Sequence, residues 1–156
     1  MNISNGNIYI VTYATHEEGY FSLLKKSCPD LIVLGMNTKW NGFYGRVKEI
    51  VNFCKTVNEN DIICHVDGFD SVVLCNKEKI KEKFLESKSN ILFSSLRNPS
   101  NIIIKYLQDK LFSSCKGEKL NAGLYIGYAK NIIDFFIVFK LFSVYNEISR
   151  LKFFAK

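Results

Sequence analysis

Asp67-Gly68-Phe69-Asp70 comes directly after Ile62-Ile63-Cys64-His65-Val66, a nearly continuous apolar run. Two carboxylates three residues apart around a glycine turn can converge on one hard cation, because Mg²⁺ and Mn²⁺ take oxygen ligands and leave positions open for phosphate oxygens. The chemistry would be Lewis-acid neutralisation of a departing phosphate. The spacing is also met by a plain turn in which Asp70 caps the next segment, so the strand in front of the acids carries the weight. The two histidines do not add a nucleophile pattern. His65 lies inside the apolar run, where a hydrogen-bonded core histidine is expected, and neither His16 nor His65 completes a Ser-His-Asp order or a cysteine-histidine pair.

The elements that must hold these acids read as alternating strands and helices. Ile8 to Tyr13 (IYIVTY) has strand length and β-branching, and Thr15 is a candidate cap for a helix over Glu17 to Lys26. Cys28-Pro29-Asp30 breaks that helix, and Leu31 to Leu34 gives a second strand ended by Gly35. From Arg46 onward, Val47, Ile50, Val51 and Cys54 fall at the spacing of an amphipathic helix. Ile62 to Val66 reads as a strand covered on both faces in a parallel sheet. Asn76 caps a helix from about Lys77 with Ile80, Phe84 and Leu85 inward, and Ile91 to Phe93 is a further strand. Arg97 to Gly117 is irregular, with Ile102 to Leu107 readable as helix or strand. Leu124 to Tyr128 is a short strand, and Asn131 caps an apolar helix over Ile132 to about Tyr145. The alternation predicts one α/β layered domain over the 156 residues, with ligands bound beyond the carboxyl ends of the strands.

Composition excludes more than it selects. Hydrophobic residues at 47% and charged residues at 23% describe a globular chain. The net charge of +6 comes from scattered lysines without a basic block, so no nucleic-acid partner is expected. Five cysteines without C-x-x-C spacing indicate neither a zinc site nor a disulfide framework. The Ile132 to Tyr145 stretch falls short of the roughly 20 residues of a membrane span and is interrupted by Asp134 and Lys140. A second copy of the chain is an alternative cover for it. Met1 to Asn7 lacks the layout of a secretion signal, so a cytoplasmic location is expected.

Taken in order, VTYATHEEG (Val11 to Gly19), LGMNTKWNG (Leu34 to Gly42), GRVKEI (Gly45 to Ile50), HVDGFDSVV (His65 to Val73), ILFSS (Ile91 to Ser95) and LNAGLYIGYAKN (Leu120 to Asn131) resemble one family. The chain is similar to the glycosyltransferase domain of the procollagen lysyl hydroxylases and their collagen glucosyl- and galactosyltransferase relatives, from about Ile8 to Asn131. The resemblance implies a GT-A, Rossmann-like nucleotide-sugar-binding sheet flanked by helices. It implies transfer of glucose or galactose from UDP-glucose or UDP-galactose to a hydroxylysine-type acceptor, such as a collagen-like protein, with Mn²⁺ (or Mg²⁺) as the cation.

Carried across by position, the resemblance makes Asp67 and Asp70 metal ligands and lays Phe69, where the family usually has tyrosine, against the uracil. Trp40 would be a second aromatic contact. Thr12, Tyr13 and Thr15 would hold the uridine, Arg46 and Lys48 align with a basic pair near the phosphates, and Asn121, Ala122 and Gly123 match an Asn-Ser-Gly turn beside the sugar, here without the serine hydroxyl. After Asn131 the family continues through an acidic segment to a histidine of the metal site. This chain instead runs IIDFFIVFKLFSVYNEISRLKFFAK, and no histidine comes after His65. It thus looks C-terminally truncated, and the alternative to a transferase is an inactive nucleotide-binding or protein-interaction module.

Overall fold

The chain order is β1 (Ile8–Tyr13), α1 (Phe21–Ser27), β2 (Ile32–Leu34), α2 (Gly42–Cys54), β3 (Ile62–His65), α3 (Lys77–Glu86), β4 (Ile91–Ser95) and β5 (Leu120–Tyr128), then a helical stretch over residues 129–138. These elements belong to a computed structural model that describes residues 6–95 and 120–138 together with residues 102, 105 and 106. The strands form one five-stranded sheet in the order β2-β1-β3-β5-β4. β1 pairs parallel with both β2 and β3, whereas β5 runs antiparallel to β3 and to β4. The sheet is therefore mixed, with a parallel half built by α1 and α2 crossovers and an antiparallel half added at β5.

Strand alternation sorts the core into two layers. Val11, Ile63 and Tyr125 face one side and pack with Ile50 and Cys54 of α2 and with Ala129 and Ile132. Ile10, Cys64 and Val66 face the other and pack with Leu24 and Cys28 of the α1 region, while Ile8 and Ile62 meet Phe84 of α3. Chain order moves from β1 outward to β2, then back past β1 to β3, with α1 and α2 on opposite faces. Crossovers of one hand demand that arrangement, and it puts the switch between faces at β1 and β3, the position at which open α/β sheets bind ligands. The Asp67-Gly68-Phe69-Asp70 turn starts just beyond the carboxyl end of β3, at that switch.

Several boundaries differ from the sequence reading. α1 begins at Phe21, not Glu17, and Thr15 does not cap it. The Thr15 hydroxyl instead pairs with His16 Nδ1 at 3.0 Å, which holds residues 15–20 as a loop. α2 begins at Gly42, four residues before Arg46. α3 starts where Asn76 places it, with Asn76 Oδ1 accepting from the Lys79 amide at 2.9 Å. β5 begins at Leu120, so Asn121, Ala122 and Gly123 lie in a strand and not in a turn. Residues 129–138 are helical, which puts Asn131 inside the helix, where it cannot serve as the cap. Most of the segment 97–117 and the stretch 139–145 lie outside the described residues; 102, 105 and 106 are helical. Among the described residues no helix is long and apolar enough to cross a membrane.

One buried carboxylate ties three parts of this framework. Asp61 is 2% exposed, its Oδ1 accepts from the Asn7 amide at 2.8 Å and its Oδ2 from the Asn58 amide at 3.0 Å. Its carbonyl accepts from the Ala129 amide at 2.8 Å, where β5 turns into the helical stretch. Asp61→Ala strands two amides and is expected to lower stability by about 2–4 kcal/mol, since bonds to a charged acceptor are worth more than neutral ones. Urea unfolding checks this, and a loss below about 0.5 kcal/mol would show that water replaces the carboxylate freely.

Candidate functional site

β3 ends at His65, and the next residues are held against β1 by two bonds: the Val66 amide donates to the Val11 carbonyl at 3.0 Å and the Thr12 hydroxyl donates to the Val66 carbonyl at 2.8 Å. Asp67 therefore leaves the sheet at a fixed point, half-buried. Gly68 lets the turn lie on the end of β1, because a Cβ there would stand 3.1 Å from the Thr12 hydroxyl and 3.3 Å from Ala14 Cβ. The Phe69 amide donates to Asp67 Oδ1 at 3.1 Å, which orients the carboxylate. From above, the 15–20 loop closes on the turn through the Tyr20 amide, which donates to the Phe69 carbonyl at 2.8 Å. Gly19 at φ +55° is required there, since a Cβ would sit 2.4 Å from that carbonyl.

Arg46 and the β5 backbone complete the wall around Asp67. The Arg46 guanidinium is 3.8 Å from Asp67 Oδ2, and its side chain is only 13% exposed. On the β4–β5 ladder the register passes from Phe93↔Tyr125 to Ser94↔Asn121, so Ala122, Gly123 and Leu124 bulge out of the pairing. Bulges re-aim backbone next to functional sites. Here the bulge brings Gly123 so close that a Cβ on it would lie 3.6 Å from Asp67 Oδ2, while Asn121 Oδ1 accepts from the Gly123 amide at 2.9 Å. Asp67, Arg46, Asn121 and Gly123, drawn from β3, α2 and β5, thus share one locus.

Aromatic rings flank it on two sides. Phe69 stands 5.5 Å from the His16 ring. Trp40, half exposed, lies 5.7 Å from Tyr13 and 6.0 Å from Phe43, and the Arg46 guanidinium sits 5.0 Å over the Phe43 ring. The sequence reading missed Phe43 and the ring of His16. Phe43 is three residues from both Trp40 and Arg46, and the i,i+3 spacing to Arg46 within α2 was the signal that could have found it.

Other predicted residues are placed less directly. Thr12 is fully buried with its hydroxyl committed to the Val66 carbonyl, and Tyr13 is 6% exposed with its ring packed over Gly35. Thr15 spends its hydroxyl on His16. Lys48 is exposed two residues from Arg46 and so is turned about 200° round the helix; Arg46, not Lys48, pairs with Asp67. Asp70 is exposed and accepts from its neighbour Ser71 at 3.4 Å.

Asp67 and Asp70 are hard oxygen donors on one four-residue turn, and among the described residues no third His, Cys, Asp or Glu joins them in a metal-holding group. Two carboxylates are too few for a closed protein cage, so a cation held by them would need oxygens from a ligand or from water. Beneath them, burial first and the Arg46 charge second push His65 down to about 3, so its ring is neutral. It is a core histidine without the hydrogen bonds expected of one. Gly123's backbone approaches it, but no contact reaches hydrogen-bond geometry. The buried thiols are inert by the same physics, with burial pushing Cys54 and Cys64 up to about 12.

Asp67 thus stands at the switch point of a Rossmann-like sheet, with Arg46 on one side and the bulged strand β5 on another. Comparison with curated proteins gives no match. A family model described as PLOD GT domain matches residues 4–141, most of the chain, and covers every residue of the site. The chain therefore belongs to the PLOD glycosyltransferase domain family.

Proposed function

We propose that the chain binds a UDP-sugar together with Mn²⁺ or Mg²⁺ at Asp67 and Asp70 and transfers its glucose or galactose to a hydroxylysine-type acceptor. The observation that carries this reading is the convergence of Asp67, Arg46 and Gly123 at the carboxyl end of β3. When bound, the cation offsets the negative charge that builds on the diphosphate as it leaves. Arg46 adds a second positive group on the same side, and Phe69 offers the face of its ring to the base. Trp40 and Phe43 close the opposite rim. Asn121 and Gly123 border the sugar, where the absent serine hydroxyl leaves backbone and the Asn121 amide as the polar groups. The cysteines support a reducing, cytoplasmic setting: Cys28, Cys54 and Cys64 are buried unpaired thiols and Cys75 is an exposed one.

A second reading is binding without transfer. It is favoured by the donor count at the cation, two carboxylates among the described residues.

Isothermal titration with UDP tests the cation. Adding Mn²⁺ is expected to tighten binding at least about tenfold, which is about 1.4 kcal/mol, and Asp67→Ala to remove the gain. No Mn²⁺ effect, or a gain that survives Asp67→Ala, rejects the cation site. Phe69→Leu keeps the volume apolar and removes the ring. It is expected to weaken UDP and uridine alike by roughly 1–3 kcal/mol, the range for base stacking on an aromatic side chain. Release of UDP from UDP-glucose or UDP-galactose separates the two readings: turnover identifies a transferase, and tight binding without turnover a binding module.

A further inference from the structure

Phe69, whose ring the donor reading sets against the base, has its main chain tied on both sides. Its amide donates to Asp67 Oδ1 at 3.1 Å, and its carbonyl accepts from the Tyr20 amide at 2.8 Å. Those bonds leave the direction of the ring open, because the side-chain torsions remain and the second of them is broad. The ring is half-buried and meets the imidazole of His16, with centroids 5.5 Å apart and planes 40° from parallel. The same loop crowds the root of the side chain, since a Cβ at Gly19 would stand 3.5 Å from Phe69 Cβ.

His16 is itself held at both ring nitrogens: Nδ1 lies 3.0 Å from the Thr15 hydroxyl and Nε2 lies 3.0 Å from Glu18 Oε2. An ionised carboxylate only accepts, so Nε2 carries a proton and donates it to Glu18. Thr15 is a firm footing. It is 8% exposed, and its carbonyl accepts from the Asn37 amide at 3.0 Å, which ties the start of the loop to the segment after β2. The His16 and Glu18 side chains, by contrast, are 60% and 68% exposed, a setting in which such a pair adds little to stability. What the two bonds do set is the direction of the imidazole, and through it that of the ring it leans on, because aromatic pairs favour particular relative orientations. We propose that His16 is a positioning residue for Phe69: braced by Thr15 and Glu18, its imidazole fixes the direction in which the Phe69 ring is presented to a nucleobase. The consequence rests on the reading of Phe69 as the base contact, whereas the bracing is a property of the free protein.

Two measurements test it. Carbon-13 relaxation of the Phe69 ring, assigned by its loss in Phe69→Leu, reads the bracing in the free protein: an ordered ring is expected in the parent chain and a more mobile one in His16→Ala. Titrations with uridine, with UDP and Mn²⁺, and with inorganic pyrophosphate and Mn²⁺ read the consequence. His16→Ala is expected to weaken uridine and UDP alike, about two- to tenfold, the range for one aromatic pair, and to leave pyrophosphate, which has no base, unchanged. Adding His16→Ala to Phe69→Leu is expected to cost nothing further, because the two side chains act as one unit. A Phe69 ring equally ordered in parent and variant overturns the proposal. So does a pyrophosphate loss that matches the UDP loss, which marks a general disturbance of the turn, or a His16→Ala loss that persists without the Phe69 ring. Failure of the parent chain to bind uridine, or uridine binding untouched by Phe69→Leu, overturns the base reading instead, and the ring relaxation then decides the bracing separately.

Discussion

The pairing of β1 with β3, buried on both faces, is the constraint that sets the position of every group at the site. In the register Ile8↔Ile62 to Val11↔His65, every residue of β3 is buried, and the Thr12 hydroxyl closes the pair beyond its last rung by donating to the Val66 carbonyl. A strand covered on both faces cannot slip by one residue, because the slip would exchange the α1–α3 face with the α2 face. Asp67 is thereby delivered to one point at the carboxyl edge of the sheet. The close approaches around it are permitted by glycines: Gly68 flattens the turn onto β1 and Gly19 lets the overlying loop approach Phe69. Where the chain needs accuracy it is branched and apolar, and where it needs approach it has no side chain.

Much of this was legible in the sequence, for reasons that are local. The β1 and β3 runs are unbroken stretches of β-branched and apolar residues, which only a buried strand tolerates. The Asn76 cap fixed the start of α3 because its bond to Lys79 lies within four residues. What escaped is non-local. The antiparallel β5, and with it the mixed sheet, depends on a partner dozens of residues away, and no periodicity in LNAGLYIGY announces a bulge of three residues. Thr15 carries the right chemistry for a cap, but the competing bond to His16 takes its hydroxyl. Of the site, Asp67, Arg46, Asn121 and Gly123 were nameable from the family resemblance, whereas the buried roles of Thr12 and Tyr13 come from strand parity and from Gly35, which sequence motifs do not display.

Membership in the PLOD glycosyltransferase domain family fixes the class of chemistry and leaves the local electrostatics to this chain's own residues. Asp67 faces two claims. The Phe69 amide holds Oδ1 by a direct bond, while Arg46 stands 3.8 Å from Oδ2. A direct bidentate arginine would saturate the carboxylate and leave nothing for a cation. The longer separation neutralises part of its charge without consuming its lone pairs, so the group stays aligned and available.

That balance requires Arg46 to be restrained by something other than Asp67, or it would close the remaining distance. Phe43 supplies one restraint, with the guanidinium 5.0 Å over its ring, although a ring 70% exposed to solvent is a weak anchor. The other is the burial of its own side chain, only 13% exposed, on the helix that packs this face of the sheet through Ile50 and Cys54. An arginine with a buried stem and an aromatic ring outside it keeps its charge beside Asp67. The apolar layer of Ile50, Cys54 and Ile63 fixes α2 against this face of the sheet, so the separation of Arg46 from the end of β3 is set by the packing of the core.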